Sequence, residues 1–399
     1  MVEWKHMWEV TTWDKKFTGV DKSMQPDIKK YHYYLANELT NLERPDGDIR
    51  ILYTTDKIAY AHSIDVEENV SEGEVVAIPW GGNVSVKYYK GRFITADNRI
   101  ATSNNTSLLN NKFLYYWMLS QKSNIESFYR GAGIKHPSMF KVLNMLIPIP
   151  SLSEQQRIVS ILDTFTSSIS NLKQQIEERR KQYEYERDLL LDLEGKEGVE
   201  MKKLGDCVLL ITDGDHQPPP KSSKGIPFVT ISDIEKLSHT IDFSNTFFVP
   251  QEYYNSLKTD KKAKKGDVLY TVTGSFGIPV LIEDNREFCF QRHIALIRPN
   301  NTIALSRYIY HWLCSNYAKK QGEEKASGGA QKTVSLNSLR SFHFYYPSLQ
   351  AQSHIVSILD TFEQSISNLE EQLAMREKQY EYYRNQLLTF EGEEERGKT

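Results

Sequence analysis

Cysteine is scarce, with Cys207, Cys289 and Cys314 the only three in 399 residues. Thiols so few and so scattered exclude a disulfide framework and a zinc cluster, and they read as buried free thiols. No apolar run is long enough to span a membrane, and no apolar stretch follows the start Met1-Val2-Glu3-Trp4-Lys5. A cytoplasmic protein with no membrane contact is therefore expected. An excess of either charge is also missing: 49 Lys and Arg against 52 Asp and Glu leave a net charge of -3. A chain that wraps nucleic acid alone is usually basic overall, so any such contact must come from local patches. Catalytic signatures are lacking too. No H-E-x-x-H occurs, the string ending in Lys332-Thr333 lacks phosphate-loop spacing, and no Cys or Ser has a base beside it in a known motif.

What the chain does have is a repeat. PSLSEQQRIVSILDTFTSSISNLKQQIEERRKQYEYERDLLLDL begins at Pro150, and PSLQAQSHIVSILDTFEQSISNLEEQLAMREKQYEYYRNQLLTF begins at Pro347. Aligned without a gap, roughly 27 of 44 positions are identical, far beyond chance. Each copy opens after proline on a helix-capping serine, Ser151 or Ser348, and Glu154 stands at the capping-box position of the first. Apolar residues then recur in alternating steps of three and four. In the first copy they are Leu162, Phe165, Ile169, Leu172, Ile176, Tyr183, Leu190 and Leu193; in the second, Leu359, Phe362, Ile366, Leu369, Leu373, Tyr380, Tyr383, Leu387 and Phe390. This is a coiled-coil seam.

A helix of this length extends about 60 Å at 1.5 Å per residue, more than one small domain can hide. The two copies most simply pair with each other. Because the first carries the chain from one domain to the next and the second must start there, the pairing is antiparallel, with an approximate two-fold relation between the halves. Arginine interrupts the seam at the same place in each copy, at Arg179 and Arg376. It either fixes register or extends its head to the rim.

The expected segments are a first globular domain over 1–149, a central helix over 150–194, a second domain over 195–346, a C-terminal helix over 347–392 and a charged tail over 393–399. Gly195-Lys-Glu-Gly198 links the first helix to the second domain. The domains have diverged, yet fragments align: Gly73-Glu74-Val75 with Gly266-Asp267-Val268, Ile100-Ala101 with Ile294-Ala295, Asn104-Asn105-Thr106 with Asn300-Asn301-Thr302, and Trp117 with Trp312. Near the exit, Gly131-Ala-Gly-Ile-Lys135-His-Pro-Ser138 aligns with Gly328-Gly-Ala-Gln-Lys332-Thr-Val-Ser335. Short β-branched and aromatic runs, Val75–Ile78, Val84–Tyr89, Asp267–Thr273 and Val280–Ile282, read as strands, and Lys112–Leu119 and Leu305–Cys314 as helices. The fold class is α+β: two mixed α/β domains joined by two long antiparallel coiled-coil helices.

Two divergent domains, each followed by a long repeated helix opening P-S-L-x-x-Q, resemble the specificity subunits of Type I restriction-modification systems. Shorter strings agree: Lys203-Leu-Gly-Asp206, Asp213-Gly-Asp-His216 before Gly225-Ile-Pro227, Lys265-Gly-Asp-Val-Leu269 with Thr273-Gly-Ser-Phe-Gly277, and Trp13-Asp-Lys-Lys16 with Gly19-Val-Asp21. The resemblance implies target-recognition domains that each read half of a split double-stranded DNA site, and helices that act as a ruler. It also implies two methyltransferase subunits docked on those helices, which carry S-adenosylmethionine and methylate adenine, and added motor-nuclease subunits for restriction. This chain would then bind no cofactor and no metal and would be non-catalytic. An adenine methyltransferase of its own would need an acidic or amide residue before Pro-Pro-aromatic, and His216-Gln-Pro-Pro-Pro220 lacks both flanks.

Phosphate contacts need Lys, Arg or backbone N–H groups, and base readout needs Arg, Lys, Asn or Gln in a groove. In the first domain Lys15, Lys16, Lys22, Lys29 and Lys30 crowd the start, while Trp80, Asn83, Lys87, Lys90 and Arg92 add turn, aromatic and cationic groups. In the second, Lys258, Lys261, Lys262, Lys264 and Lys265 cluster before a strand. His216, Lys221, Lys224, Ser275, Arg292 and His293 complete the candidates. The plainer reading makes the charges a solvated turn, the aromatics core and the histidines structural. A coiled-coil adaptor that bridges two proteins without reading DNA is the alternative function.

Overall fold

The computed structural model describes residues 2–66, 69–216, 218–329 and 331–390. The expected tail over 393–399 lies outside them. The chain forms two compact units: one takes the chain up to Asn171 and again from Gln372, and the other is Leu172–Glu371.

The first unit is built on a six-stranded sheet in the order Thr11–Trp13, Asn98–Ser103, Ser71–Pro79, Lys87–Thr95, Ile49–Leu52, Ile58–Ala61. Only the pairing of Lys87–Thr95 with Ile49–Leu52 is parallel. Period-two alternation sends Val76 and Ile78 into the main core and Val75 and Ala77 to a second cluster on the opposite face. The helix Asn111–Ser120 closes the main core. Asn110 caps it by accepting the Lys112 and Phe113 N–H groups, and it buries Phe113, Leu114, Tyr116, Trp117 and Met118. The run expected to be a strand from Val84 joins the sheet only at Lys87. Val84 and Val86 are instead buried in the main core, so their β-branched character reflects burial and not pairing.

The second unit uses a four-stranded antiparallel sheet, Val208–Asp213, Ile294–Pro299, Val268–Thr271, Pro279–Leu281. A three-stranded sheet, Phe247–Val249, Ile226–Val229, Cys289–Phe290, adds to it. Helix Ser306–Cys314 covers the main core with Tyr308, Ile309, Trp312 and Leu313. In each unit a short antiparallel pair brackets the domain, Glu3–His6 with Leu146–Ile149 in one and Glu200–Lys203 with His343–Tyr346 in the other. The turn-forming asparagine is Asn105 in the first unit and Asn300 in the second. Each carbonyl accepts N–H groups three and four residues on, and each side chain accepts one two residues on. That moves the alignment one position from the pairing of Asn104 with Asn300.

Two helices of 40 residues, Leu152–Leu191 and Leu349–Leu388, match the repeat. Ser151 accepts the Glu154 N–H and Ser348 the Ala351 N–H, both at 3.3 Å. The Glu154 carboxylate is held by Arg157, so it leaves the capping box half made.

The start of each helix is docked onto its own domain by the same contacts. Gln155 accepts the Asn110 N–H at 2.8 Å and donates to the Leu108 and Pro150 carbonyls. Gln352 accepts the Leu305 N–H at 2.9 Å and donates to the carbonyls of Ile303 and Pro347. Both glutamines are fully buried, as are Ile158 and Leu162 in one unit and Leu359 in the other, with Ile355 nearly so.

The seams meet within each unit. In the first, the Phe165 ring lies 5.3 Å from that of Tyr383 and 6.5 Å from that of Tyr380, with the Arg376 guanidinium 5.7 Å above it. In the second, Arg179 lies 5.9 Å over Phe362, Arg180 pairs with Glu370 at 2.5 Å, and the Tyr183 hydroxyl donates to Glu363. Moving from Arg180 to Tyr183 takes the partner from Glu370 back to Glu363, which makes the pairing antiparallel. Ile176 is buried, whereas Ile169, Leu172, Ile366, Leu369, Leu373 and Tyr380 are half-buried, as expected of a pair with only one covered side. Each seam arginine places its charge over the aromatic ring of the facing helix, Arg179 over Phe362 and Arg376 over Phe165.

Gln155→Leu and Gln352→Leu should each destabilise by about 1–3 kcal/mol, the cost of leaving buried backbone groups unpaired. Urea unfolding midpoints check this, and unchanged midpoints would show that the docks carry no weight.

Candidate nucleic-acid interface

In the second unit one end of the four-stranded sheet gathers Asp213, Ile294, Thr271 and Pro279, since Asp213 faces Ala295, Thr271 faces Ile294 and Tyr270 faces Pro279. The loops leaving that end touch one another. The Val272 N–H donates to the His293 carbonyl, Asp215 bridges to Gln291, and Gly274 N–H donates to the Lys332 carbonyl at 3.0 Å. Ser275, Arg292 and His293 therefore stand together, with Ser275 and Arg292 exposed and the Arg292 Nε–H donating to His293 Nε2 at 3.3 Å.

His216 is at this end but is held by Asp213 at 2.8 Å. Lys261 is tied to the Gly214 carbonyl at 2.8 Å and lies 3.8 Å from Asp213. The lysines of the basic cluster are not all gathered at this end of the sheet. Lys262 lies over the Tyr254 ring and donates to the Asn255 carbonyl, Lys258 is exposed, and Lys264 and Lys265 are exposed at the far end of the sheet, before Val268. Lys221 covers the Phe247 ring and Lys224 is exposed on the same loop.

The corresponding end of the first unit's sheet carries Lys15 and Lys16 after Trp13, the turn Trp80–Asn83 after Pro79, and Lys87 at the start of its strand. A buried ion pair organises it. Arg99 and Asp14, both with fully buried side chains, meet at 2.6 Å. Asp14 also accepts the Ile100 N–H at 2.9 Å and the Tyr33 hydroxyl at 2.5 Å. Burial pushes its carboxyl above the ordinary value, against the pull of Arg99 and these hydrogen bonds. Arg99 also pairs with Asp97 and lies 4.8 Å beneath the Trp80 ring, on which Lys15 sits at 5.4 Å. His136 Nδ1–H donates to the Trp80 carbonyl at 2.8 Å, and Gly82 N–H to the Lys135 carbonyl at 3.1 Å. Lys15, Lys16, Trp80 and Asn83 are thus assembled at one end.

Lys87 turns inward, donating to Ser85 and to the Thr54 carbonyl, and burial pushes its ammonium down to about 8. Lys90 and Arg92 stand further along the strand beside Glu74 and Asp48. Lys22, Lys29 and Lys30 lie on an exposed stretch, with Lys29 over Tyr31. Sequence reasoning assigned no role to Arg99, Lys135, His136, Gln331 or Lys332. Only the surviving string around Lys135 and Lys332 signalled the last four.

Among the described residues, His311, Asp360 and Glu363 are close enough to hold a metal, with ligand atoms within 4.8 Å. Arg307 already supplies the positive charge, 2.8 Å from Asp360 and 3.5 Å from Glu363. Burial raises the Asp360 carboxyl, but its bonds to His311 and Arg307 win and hold it below its ordinary value. The first unit makes the same junction without a histidine: Lys112 pairs with Asp163 at 2.8 Å, and the Tyr116 hydroxyl donates to it at 2.6 Å. The cluster is a helix dock.

A family model described as the Type I restriction modification DNA specificity domain matches residues 21–179 and again 196–375. A Haemophilus influenzae protein named as a type I restriction enzyme specificity subunit is 30% identical over 379 residues, 89% of this chain and 94% of that protein. A type I restriction enzyme specificity subunit from Escherichia coli is 29% identical over 301 residues, 70% of each chain. The solved S subunit of a type I restriction-modification system from M. genitalium has a similar fold, with a TM-score of 0.63 at 16% identity over 98% of this chain and 97% of that one.

Replacing Arg99 with Met would leave Asp14 buried without its cation, a loss of about 3–5 kcal/mol. Differential scanning calorimetry should show a lowered transition, and near-UV circular dichroism a changed Trp80 signal. A variant as stable as the parent would remove the ion pair from its organising role.

Proposed function

Given that the chain belongs to the Type I restriction-modification DNA specificity family, we propose that it is the sequence-reading subunit of such an enzyme, each unit recognising one half of a two-part, asymmetric double-stranded DNA site. The observation that carries this reading is the contrast between what repeats and what does not. The buried glutamine docks and the arginine-over-phenylalanine seam contacts recur in both units, whereas the loops at the sheet ends differ in nearly every side chain: Lys15, Trp80 and His136 in one, Ser275, Arg292 and Thr333 in the other. A like framework with unlike loops suits two half-sites of different sequence, because base edges are read by side chains and not by the scaffold.

The remaining roles fall to partners. The chain is non-catalytic and carries no cofactor of its own; two methyltransferase subunits dock on its paired helices, bring S-adenosylmethionine and methylate adenine N6, and motor-nuclease subunits join for restriction. It works in the cytoplasm, and among the described residues no helix is long and apolar enough to cross a membrane. The alternative of a protein-bridging adaptor is disfavoured by the size and divergence of both globular ends, for which a spacer has no use.

Co-expression with the methyltransferase encoded beside it, followed by single-molecule sequencing of genomic DNA, tests the reading. A gapped, asymmetric adenine-methylation motif that requires both proteins is expected. A stable complex with an active partner and no motif would overturn it.

A further inference from the structure

Two exposed hairpins, one in each unit, persist while the loops around them change. Gly131 to Lys135 is joined through the short pair Tyr129–Arg130 and His136–Pro137, and in the second unit the described residues on either side of position 330, Gly328 with Gly329 and Gln331 with Lys332, are joined through the bridge of Ser327 with Thr333. Both open on a glycine in the left-handed region, at φ +147° and +115°. A Cβ there would meet the Ile134 carbonyl oxygen at 2.7 Å and the Gln331 carbonyl oxygen at 2.5 Å, so the same tight turn demands glycine twice. Both are pinned alike, since the Lys135 carbonyl accepts from Gly82 and the Lys332 carbonyl from Gly274. Burial does not explain the retention, because Gly131, Lys135, Gly328 and Lys332 are all exposed. Among the described residues, neither lysine has a salt bridge, unlike Lys90, Lys112 and Lys261.

We propose that the Gly131–Lys135 and Gly328–Lys332 hairpins are a pair of equivalent phosphate contacts, one per domain, by which Lys135 and Lys332 seat each domain on the DNA backbone without reading its sequence. This rests on the DNA-reading role proposed above and divides the labour within it. Backbone phosphates are the same at every site, so a contact to them can stay fixed when two domains diverge toward different bases. The groups next to the hairpins, Trp80 and His136 in one unit and Thr273 and Thr333 in the other, occupy like places with unlike chemistry, as base or groove readers would.

The test uses the full chain in complex with its methyltransferase partner. Fluorescence anisotropy measures binding to a duplex bearing the methylated motif and to an unrelated duplex between about 50 and 200 mM salt, the range in which counterion release is resolved. Lys135→Ala and Lys332→Ala should each weaken binding to both duplexes by the same factor, about fivefold, and each should lower the log–log salt slope by about 0.9. The methylated motif should be unchanged, and Lys135→Arg and Lys332→Arg should bind as the parent does. Unchanged affinity and slope in both alanine variants would overturn the proposal. So would loss confined to the cognate duplex with a relaxed motif, which would make the lysines base readers. Failure of the DNA-reading role itself is separate, because the parent complex would then not discriminate the two duplexes.

Discussion

Neither domain closes its own core. In the first unit the main core includes Ile158 and Leu162 from the start of one long helix and Leu388 from the end of the other. In the second, Ile355 and Leu359 come from the start of the second helix and Leu191 from the end of the first. Burying such side chains is the dominant favourable term in each domain. Each unit therefore depends on both helices being present and antiparallel, and a change that separates them exposes apolar surface in both cores.

This dependence explains why the repeat stays so alike while the domains drift. Gln155 and Gln352 each bond the backbone of the segment their helix docks on, and Asp163 and Asp360 hold cationic side chains at the same junction. Phe165 and Phe362 must each meet an arginine and, in the first unit, two tyrosines. Substitutions there disturb docking and pairing together. The sheet-end loops carry no such load. They hang from a frame fixed elsewhere, and in the first unit the buried Arg99–Asp14 pair stiffens the base from which Trp80 and Lys15 project.

The helices were legible because a heptad seam is a periodic signal and the chain states it twice. The domain cores were legible in outline, since apolar runs mark buried segments; periodicity alone could not tell that Val84 and Val86 pack while Lys87 begins the strand. Candidate contact residues were the least legible, because charge in sequence does not say what a side chain faces. Lys87 and Lys261 look the same as free cations in sequence, yet one is turned inward to Thr54 and Ser85 and the other is bound to Gly214 and Asp213. Lys135 and Lys332, each a lone cation in its short string, were passed over for the lysine-rich stretches. Their shared turn, seen in three dimensions, is what distinguishes them.

In the proposed reading, the two units that read the half-sites are joined by the paired helices, so lengthening the helices should widen the gap between the half-sites. Inserting four residues, about one helical turn, into the Gln174–Tyr185 stretch of the first helix and at the matching place in the second keeps the antiparallel seam while lengthening it. Mapping methylated adenines with the altered chain and its partner should then return both half-sites intact, separated by a longer gap. An active complex that methylates the original motif with its gap unchanged would contradict the account.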